Sequence, residues 1–305
     1  MDTREIHFDP DYKHAAFALY RYAPSLAGCI VFCVLFTLTT GLHSLQLFRT
    51  RTWYMIPFAI GGLFELVGYA ARAVSASQEP GFWTLLPYIL QSVFLLVAPA
   101  LFAASIYMIL GRIILLTDGE KKAIIRRSWL TKLFVSGDVL SFLMQSTGGA
   151  LMATASSDPS KQKLGENVII GGLFVQLIVF GLFIVVAGIF HLRLARSPTA
   201  ASRQPHVRWR TYLTVLYTTS FLILIRSLFR VIEYLQGYNG FLLTTEAFLY
   251  VFDATLMFFT MAVMNWQHPS EIGMLLRGDR PLDGSGSFRM VGFHSVKEDA
   301  SPMMA

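Results

Sequence analysis

Charged residues are scarce in this sequence, and their scarcity is the first guide to its class. Only 14% of the 305 residues are Asp, Glu, Lys or Arg, and 54% are hydrophobic, whereas soluble domains average about 25% charged residues. This composition identifies an integral membrane protein. The formal net charge of +6 does not indicate nucleic-acid binding, because the basic residues fall in short loops between apolar runs and form no basic face interleaved with aromatic residues.

The sequence also gives no indication of an ATP site, a cleavable signal peptide or a disulfide. The sequence has no G-x-x-x-x-G-K-[ST] phosphate-binding loop, so no ATP site within this chain is predicted. Its first 22 residues lack the apolar core of a cleavable signal peptide, and the first helix is expected to direct insertion. The two cysteines, Cys29 and Cys33, lie one helical turn apart, where their side-chain directions do not suit a disulfide.

The predicted fold is all-α, a polytopic bundle of seven transmembrane helices. Seven apolar runs can cross about 30 Å of hydrocarbon, and they cover residues 23–47, 53–75, 83–114, 131–154, 166–194, 210–236 and 244–267. We therefore divide the chain into three parts. These are an extracellular N-terminal segment, a transmembrane domain and a Gly/Ser-rich cytosolic tail predicted to be disordered, at residues 1–22, 23–269 and 270–305.

The charges in the loops predict the orientation of this bundle. The loops after helices one, three and five carry ten Lys or Arg residues, and those after helices two, four and six carry two. Because cytosolic loops are enriched in basic residues, the N-terminus is predicted to lie outside and the C-terminus in the cytosol.

Several polar and ionisable residues interrupt the predicted helices at regular spacings. Those in helices two, four, six and seven are spaced by seven, or by four and three, which places each set on one helix face. Gln91 in helix three and Gln176 in helix five complete a predicted substrate chamber. The remaining members are Glu65, Arg72, Asp138, Gln145, Arg226, Arg230, Glu233, Glu246 and Asp253.

Two interpretations of this set remain open at the level of sequence. Charges are costly in hydrocarbon, so these residues are expected to face one another inside the bundle. They then either pair with each other and only fix helix packing, or they also meet a substrate. A surplus of acids over arginines can hold a cationic headgroup or take up a proton.

The same residues lie in stretches that resemble a known family. The stretches, in chain order, are "YAPS" (22–25), "ELVGYAAR" (65–72), "YILQSVFLLVAPALFAASIY" (88–107), "DVLSFLMQSTGG" (138–149), "GGLFVQ" (171–176), "RSLFRVIEYLQGYNG" (226–240), "EAFLYVFD" (246–253) and "HP" (268–269). Over about residues 20–270 the chain resembles the fungal lipid-translocating exporter family. Members of that seven-helix family are linked to aminocholesterol resistance, sphingoid-base release and protoporphyrin uptake.

The resemblance implies that the protein moves amphipathic lipids or lipid-like compounds across a fungal plasma membrane, or an internal one. Its expected partners are membrane lipids and amphipathic small molecules. No catalysis, cofactor or bound metal is expected. The family has no agreed binding site. The role of the chamber residues is therefore a hypothesis that rests on their positions inside the predicted helices.

Two other functions are weighed against translocation. A seven-helix receptor or stress sensor would share the layout, but helix three ends in "YMILGRII" and helix seven in "NWQHP", unlike the motifs of G-protein-coupled receptors. An intramembrane metal-dependent lipid enzyme would need about three converging ligands. His43, His191 and His268 lie near predicted helix ends, although such histidines ordinarily meet carbonyls or headgroups.

Overall fold

The computed structural model describes residues 6–8, 11–13, 18–154, 159–237 and 240–278, and this part of the chain is almost entirely helical. The six long helices are α1 (Leu26–Thr50), α2 (Ile56–Ala76), α3 (Leu85–Leu116), α4 (Arg127–Thr154), α5 (Pro159–Arg196) and α6 (Trp209–Leu235). The shorter helices are α7 (Phe241–Thr244), α8 (Glu246–Leu249), α9 (Thr255–Trp266) and α10 (Ser270–Leu276). Two short strands, β1 (Ile6–Phe8) and β2 (Phe82–Thr84), pair antiparallel beside the bundle.

Six helical segments are long and apolar enough to cross a membrane, within the described residues. They are α1, Trp53–Ala76, α3, Ser160–Arg196, α6 and Glu246–Trp266. Helix α4 is 28 residues long and is not among the six. The structure therefore confirms an all-α polytopic membrane protein, while the seventh span and the orientation stay predictions.

Helices that are neighbours in sequence pack against each other from α1 to α6, and α9 closes the bundle by packing on α1 and α6. Helix α3 lies at the centre, in contact with α2, α4, α6 and α10. Its buried Phe102, Ile106 and Tyr107 join one core with residues of the surrounding helices. The outward surface is apolar, with Leu38 and Phe48 about two-thirds exposed, as expected of side chains that face lipid.

The seventh predicted helix is not a continuous α-helix. Residues Phe241–Thr244 and Glu246–Leu249 form separate single turns, and a π-helical turn over Tyr250–Ala254 joins the second of them to α9. A π turn takes one more residue than an α turn and often marks a functional position. Here it holds one of the predicted chamber residues, Asp253.

The start of the predicted tail lies within the described residues and is helical. Residues 270–276 form α10, in which Ile272 is fully buried and Met274 nearly so. Tyr54, which lies just before α2, donates a hydrogen bond to the backbone carbonyl of Pro269 and so fixes the start of this helix. Residues 279–305 lie outside the described residues, and the prediction for them stays untested.

Helices α4 and α5 approach so closely that two glycines face each other's backbone. A Cβ added at Gly148 would lie 2.5 Å from the carbonyl oxygen of Gly165, and one added at Gly165 would lie 2.7 Å from that of Gly148. Backbone cannot give way as a flexible side chain can. This contact therefore requires glycine on both helices.

The substitution Gly148→Ala should lower the free energy of unfolding by about 1–3 kcal/mol through overpacking. The neighbouring Gly149 is a matched control, because a Cβ there meets nothing within 4 Å. Gly149→Ala should leave stability unchanged or raise it by less than about 1 kcal/mol, since alanine is the better helix former. Thermal unfolding of both variants in detergent measures the difference, and equal melting temperatures would refute the close contact.

Candidate functional site

One cluster of the candidate residues ties α2 and α8 to the segment that precedes α1. The Nη2 atom of Arg72 donates to Glu246 Oε1 at 2.7 Å and to the hydroxyl of Tyr22 at 3.0 Å. The backbone amide of Ser25 donates to both oxygens of Glu246, at 2.9 and 3.0 Å. Arg72 is fully buried, so Glu246 supplies the counter-charge that its guanidinium needs inside the protein.

Aromatic rings surround the same guanidinium. Its central carbon lies 5.5–5.7 Å from the ring centroids of Tyr20, Tyr22 and Tyr250, within the range of cation–π attraction. Burial raises the pKa of Tyr20 to about 12, and its hydroxyl donates to Gln91 Oε1 at 2.7 Å. The predicted chamber residue Gln91 therefore joins this cluster through a tyrosine that the sequence argument had missed.

A second cluster lies where α2, α3, α6 and the π turn meet. The Nε atom of Arg226 donates to Asp253 Oδ1, and its Nη2 atom donates to Asp253 Oδ2 at 3.4 Å and to the backbone carbonyl of Leu95 at 2.8 Å. Both ionic side chains are at most 5% exposed. This is a buried, bidentate ion pair with a further hydrogen bond to the central helix.

Glu65 lies beside that pair and has no arginine of its own. It is fully buried, interacts electrostatically with Asp253 and Arg226, and neither carboxyl oxygen has a hydrogen-bond partner among the described residues. A buried polar group without a hydrogen bond is costly and is often retained for function. Glu65 is therefore the candidate whose placement is least explained by packing.

The third ion pair forms within α6. The Nη1 atom of Arg230 donates to Glu233 Oε2 at 2.7 Å, across one turn of the helix. Glu233 also interacts electrostatically with Asp253. The predicted stripe on α6 thus splits, because Arg226 pairs across the bundle while Arg230 and Glu233 pair with each other.

Three candidates lie apart from the ion pairs, among α3, α4 and α5. Asp138 accepts a hydrogen bond from the hydroxyl of Tyr107 at 2.9 Å. The side-chain amide of Gln145 donates to Ser141 at 2.7 Å and to Gln176 Oε1 at 3.3 Å. Each of these side chains has a local polar partner, so the structure does not bring all eleven candidates into one group.

Several residues of the clusters were not identified from the sequence. Tyr22 and Ser25 belong to the stretch "YAPS", and Tyr250 lies one turn after Glu246 and just before Asp253. Of these, only Tyr250 lies between candidate ions in the sequence, and none of the three is a charged residue or a glutamine inside an apolar run. Neutral hydroxyls that stabilise an ion pair therefore escape a search for such residues.

The three histidines considered as metal ligands do not converge. His43 and His268 have ring centroids 5.9 Å apart, whereas His191 packs on Trp209 and Tyr217. Across the described ranges no group of three or more His, Cys, Asp or Glu residues is arranged to hold a metal ion. This arrangement does not favour the three-ligand site of a metal-dependent lipid enzyme.

Comparison with known proteins gives one matching family and a series of fungal relatives. The family model described as RTA1 like protein matches residues 58–275. The Protein RTA1 of Saccharomyces cerevisiae is 38% identical and the alignment covers 81% of this chain and 83% of that protein. Protoporphyrin uptake protein 1 of Saccharomyces cerevisiae is 37% identical, over 80% of this chain and 89% of its own. A sphingoid long-chain base transporter, RSB1, of the same species is 24% identical, over 81% and 72%. No solved structure matches.

Proposed function

This chain belongs to the RTA1-like family, and from that premise we propose that it translocates amphipathic lipids or lipid-like compounds across a fungal membrane. Relatives whose names describe transport of lipids, sphingoid bases and protoporphyrin support this reading. We infer no catalytic activity. The plasma membrane is the proposed location.

We propose seven spans, with α4 as the additional one and the N-terminus outside. The excess of basic residues in alternate loops supports this orientation. In it, the cluster of Arg72 and Glu246 lies in the outer half of the membrane, and the pair of Arg226 and Asp253 lies nearer the middle. The two clusters would mark successive depths along one route.

The observation that carries the proposal is the set of buried ion pairs on α2, α6 and the α8–π segment. Each of the three arginines of this set has a carboxylate partner, which leaves Glu65 as a surplus acid beside the pair of Arg226 and Asp253. A cationic or strongly polar headgroup can take the place of Arg226 at one of the carboxylates, Asp253 or Glu65, while Arg226 pairs with the other. The apolar chain of the substrate stays in lipid. Such an exchange keeps the buried charges paired at each stage.

The irregular segment that precedes α9 supports the proposal that Glu246 and Asp253 change partners during transport. Asp253 lies in the π turn, and the chain leaves the helical conformation at Thr245, just before Glu246. Because a π turn contains one extra residue, its rearrangement rotates the side chains within it about the helix axis. Both acids of this segment could therefore change partners without the unfolding of a regular helix.

The test is release of a fluorescently labelled sphingoid base from cells that express the wild type or Arg230→Ala at matched surface levels. Arg230 belongs to the ion-pair set but forms its pair within one helix, so its loss should spare the fold more than the loss of Arg226. We expect release to fall roughly tenfold, equivalent to about 1.4 kcal/mol.

Arg210 supplies the matched control for this experiment. It is an arginine of the same helix, but its side chain is exposed at the other end of α6. Arg210→Ala should release the labelled base at the wild-type rate. Equal release by the wild type and Arg230→Ala would remove Arg230 and Glu233 from the mechanism.

A further inference from the structure

A separate group of polar side chains lies where α1 meets the end of α9. It consists of His43 and Gln46 on α1, Asn265 on α9, and His268 just beyond it. His43, Gln46 and Asn265 are 2%, 8% and 5% exposed, and the ring nitrogens of His268 are buried. None of these residues contacts the ion pairs described above by a hydrogen bond or a salt bridge.

The donors of this group are already used. His43 Nε2 bonds to the carbonyl of Met261 at 3.1 Å, Gln46 Nε2 to that of Asn265 at 3.0 Å, and Asn265 Nδ2 to that of Thr39 at 3.2 Å. A backbone carbonyl only accepts, so each of these side-chain nitrogens must be the donor. The atoms left over, His43 Nδ1, Gln46 Oε1 and Asn265 Oδ1, are therefore all acceptors. All three are buried and have no hydrogen-bond partner in the part of the chain that the structure describes.

His268 adds another lone pair to these acceptors. A neutral imidazole has one unprotonated nitrogen, which accepts, and one N–H, which donates. Neither ring nitrogen of His268 has a hydrogen-bond partner among the described residues. The four buried acceptors of the group outnumber this one donor, so the group suits a positively charged or donating occupant.

The two imidazoles are spaced as one shared ion would place them. Their ring centroids are 5.9 Å apart. With nitrogen–metal distances of about 2.0–2.1 Å, two imidazoles on one ion have centroids roughly 5–6.5 Å apart, depending on whether the geometry is tetrahedral or linear. His43 also donates its other ring nitrogen to a backbone carbonyl, which is the usual way of fixing a metal-ligating histidine.

We propose that His43 and His268 hold a single transition-metal ion of the class that prefers imidazole, with the amide oxygens of Gln46 and Asn265 completing its surroundings. Water can also donate to such acceptors, but it does not account for the ring spacing together with the fixed tautomer. No carboxylate belongs to this group in the described part of the chain, and burial cost rises steeply with charge. A monovalent ion such as Cu(I) therefore suits the site better than Zn²⁺.

This inference revises the sequence-based expectation of no bound metal. A search by sequence for three converging His or carboxylate ligands overlooks two histidines supported by amide oxygens. The site does not depend on the proposed translocation, and metal content can be measured on protein that transports nothing.

The experiment loads the purified full-length chain with Cu(I) under ascorbate and without air, or with Zn²⁺, and then removes unbound metal by desalting. Mass spectrometry of the elements should find about one equivalent of metal per wild-type chain, with copper retained more strongly than zinc. His43→Gln and His268→Gln should each retain at least tenfold less. His191→Gln, which alters a histidine outside the group, should retain the wild-type amount.

Thermal unfolding provides a second readout on the same samples. Metal that binds the folded state should raise the melting temperature of the wild type and of His191→Gln, but not that of His268→Gln. Fewer than about 0.1 equivalents of either metal on the wild type would overturn the proposal, whatever the variants do. Undiminished metal on a folded His268→Gln protein would overturn it as well.

Discussion

Arg226→Ala should lower the free energy of unfolding by about 3–5 kcal/mol, which is a large part of the stability of an ordinary domain. The arginine is 3% exposed and donates to both oxygens of Asp253 and to the carbonyl of Leu95. Its removal leaves Asp253 as an unpaired charge in the interior, beside the already unpartnered Glu65. Thermal unfolding in detergent and the yield of folded protein after extraction measure the loss.

The paired variant Arg226→Met, Asp253→Leu is the control for this prediction. Replacing both members of a buried ion pair by apolar residues of similar size is often neutral, because no uncompensated charge remains. The paired variant should therefore recover most of the stability that Arg226→Ala loses. A paired variant as unstable as the single one would show that the ion pair itself holds the fold together.

Glu246→Ala should have the second largest effect, about 2–3 kcal/mol, because it leaves the buried Arg72 guanidinium without its carboxylate partner. The tyrosine rings around the guanidinium should offset part of the cost. Loss of Glu246 also removes the acceptor of the Ser25 amide. Chemical or thermal unfolding of the purified variant measures this loss.

Glu271→Ala is the matched control for this loss. Glu271 also pairs with an arginine, Arg208, at 3.5 Å. The two glutamates are about equally exposed, but the side chain of Arg208 is 32% exposed and that of Arg72 only 1%. Removal of a carboxylate from such a solvated pair should cost less than about 1 kcal/mol. If the two glutamate variants unfolded at the same temperature, burial would not be what makes the Arg72 pair important.

The helices could largely be predicted from the sequence, because hydrophobic length alone identifies a span. Apolar runs predicted at 23–47 and 83–114 correspond to α1 and α3, whose ends differ by only a few residues. Caps account for part of the difference. The hydroxyl of Ser25 accepts from the amide of Gly28 and starts α1 there.

The partners of the buried ions could not be predicted, because helix periodicity gives a face but neither its rotation nor its depth in the bundle. Seven residues separate Glu246 from Asp253, which would place both on one face of a regular α-helix. The π turn between them alters that register, and the two acids pair with arginines of different helices, Arg72 and Arg226. No sequence pattern used above predicts a π turn.

The ion pair between Arg230 and Glu233 was not expected from the sequence for another reason. Their spacing of three residues already permits an ion pair within one helix, and the structure has that pair. The expectation that all the chamber residues face one another inside the bundle did not consider this local pair. The cheaper local partner should be considered first wherever opposite charges are three or four residues apart.

The most direct test of the proposed translocation is transport by the paired variant Arg226→Met, Asp253→Leu, purified, shown to be folded, and reconstituted in vesicles with a fluorescent long-chain amine. If the buried ions take part in moving the headgroup, this folded protein should transfer the amine between leaflets no faster than protein-free vesicles. Transfer at the wild-type rate would contradict the account, because transport would then not require the buried ion pair.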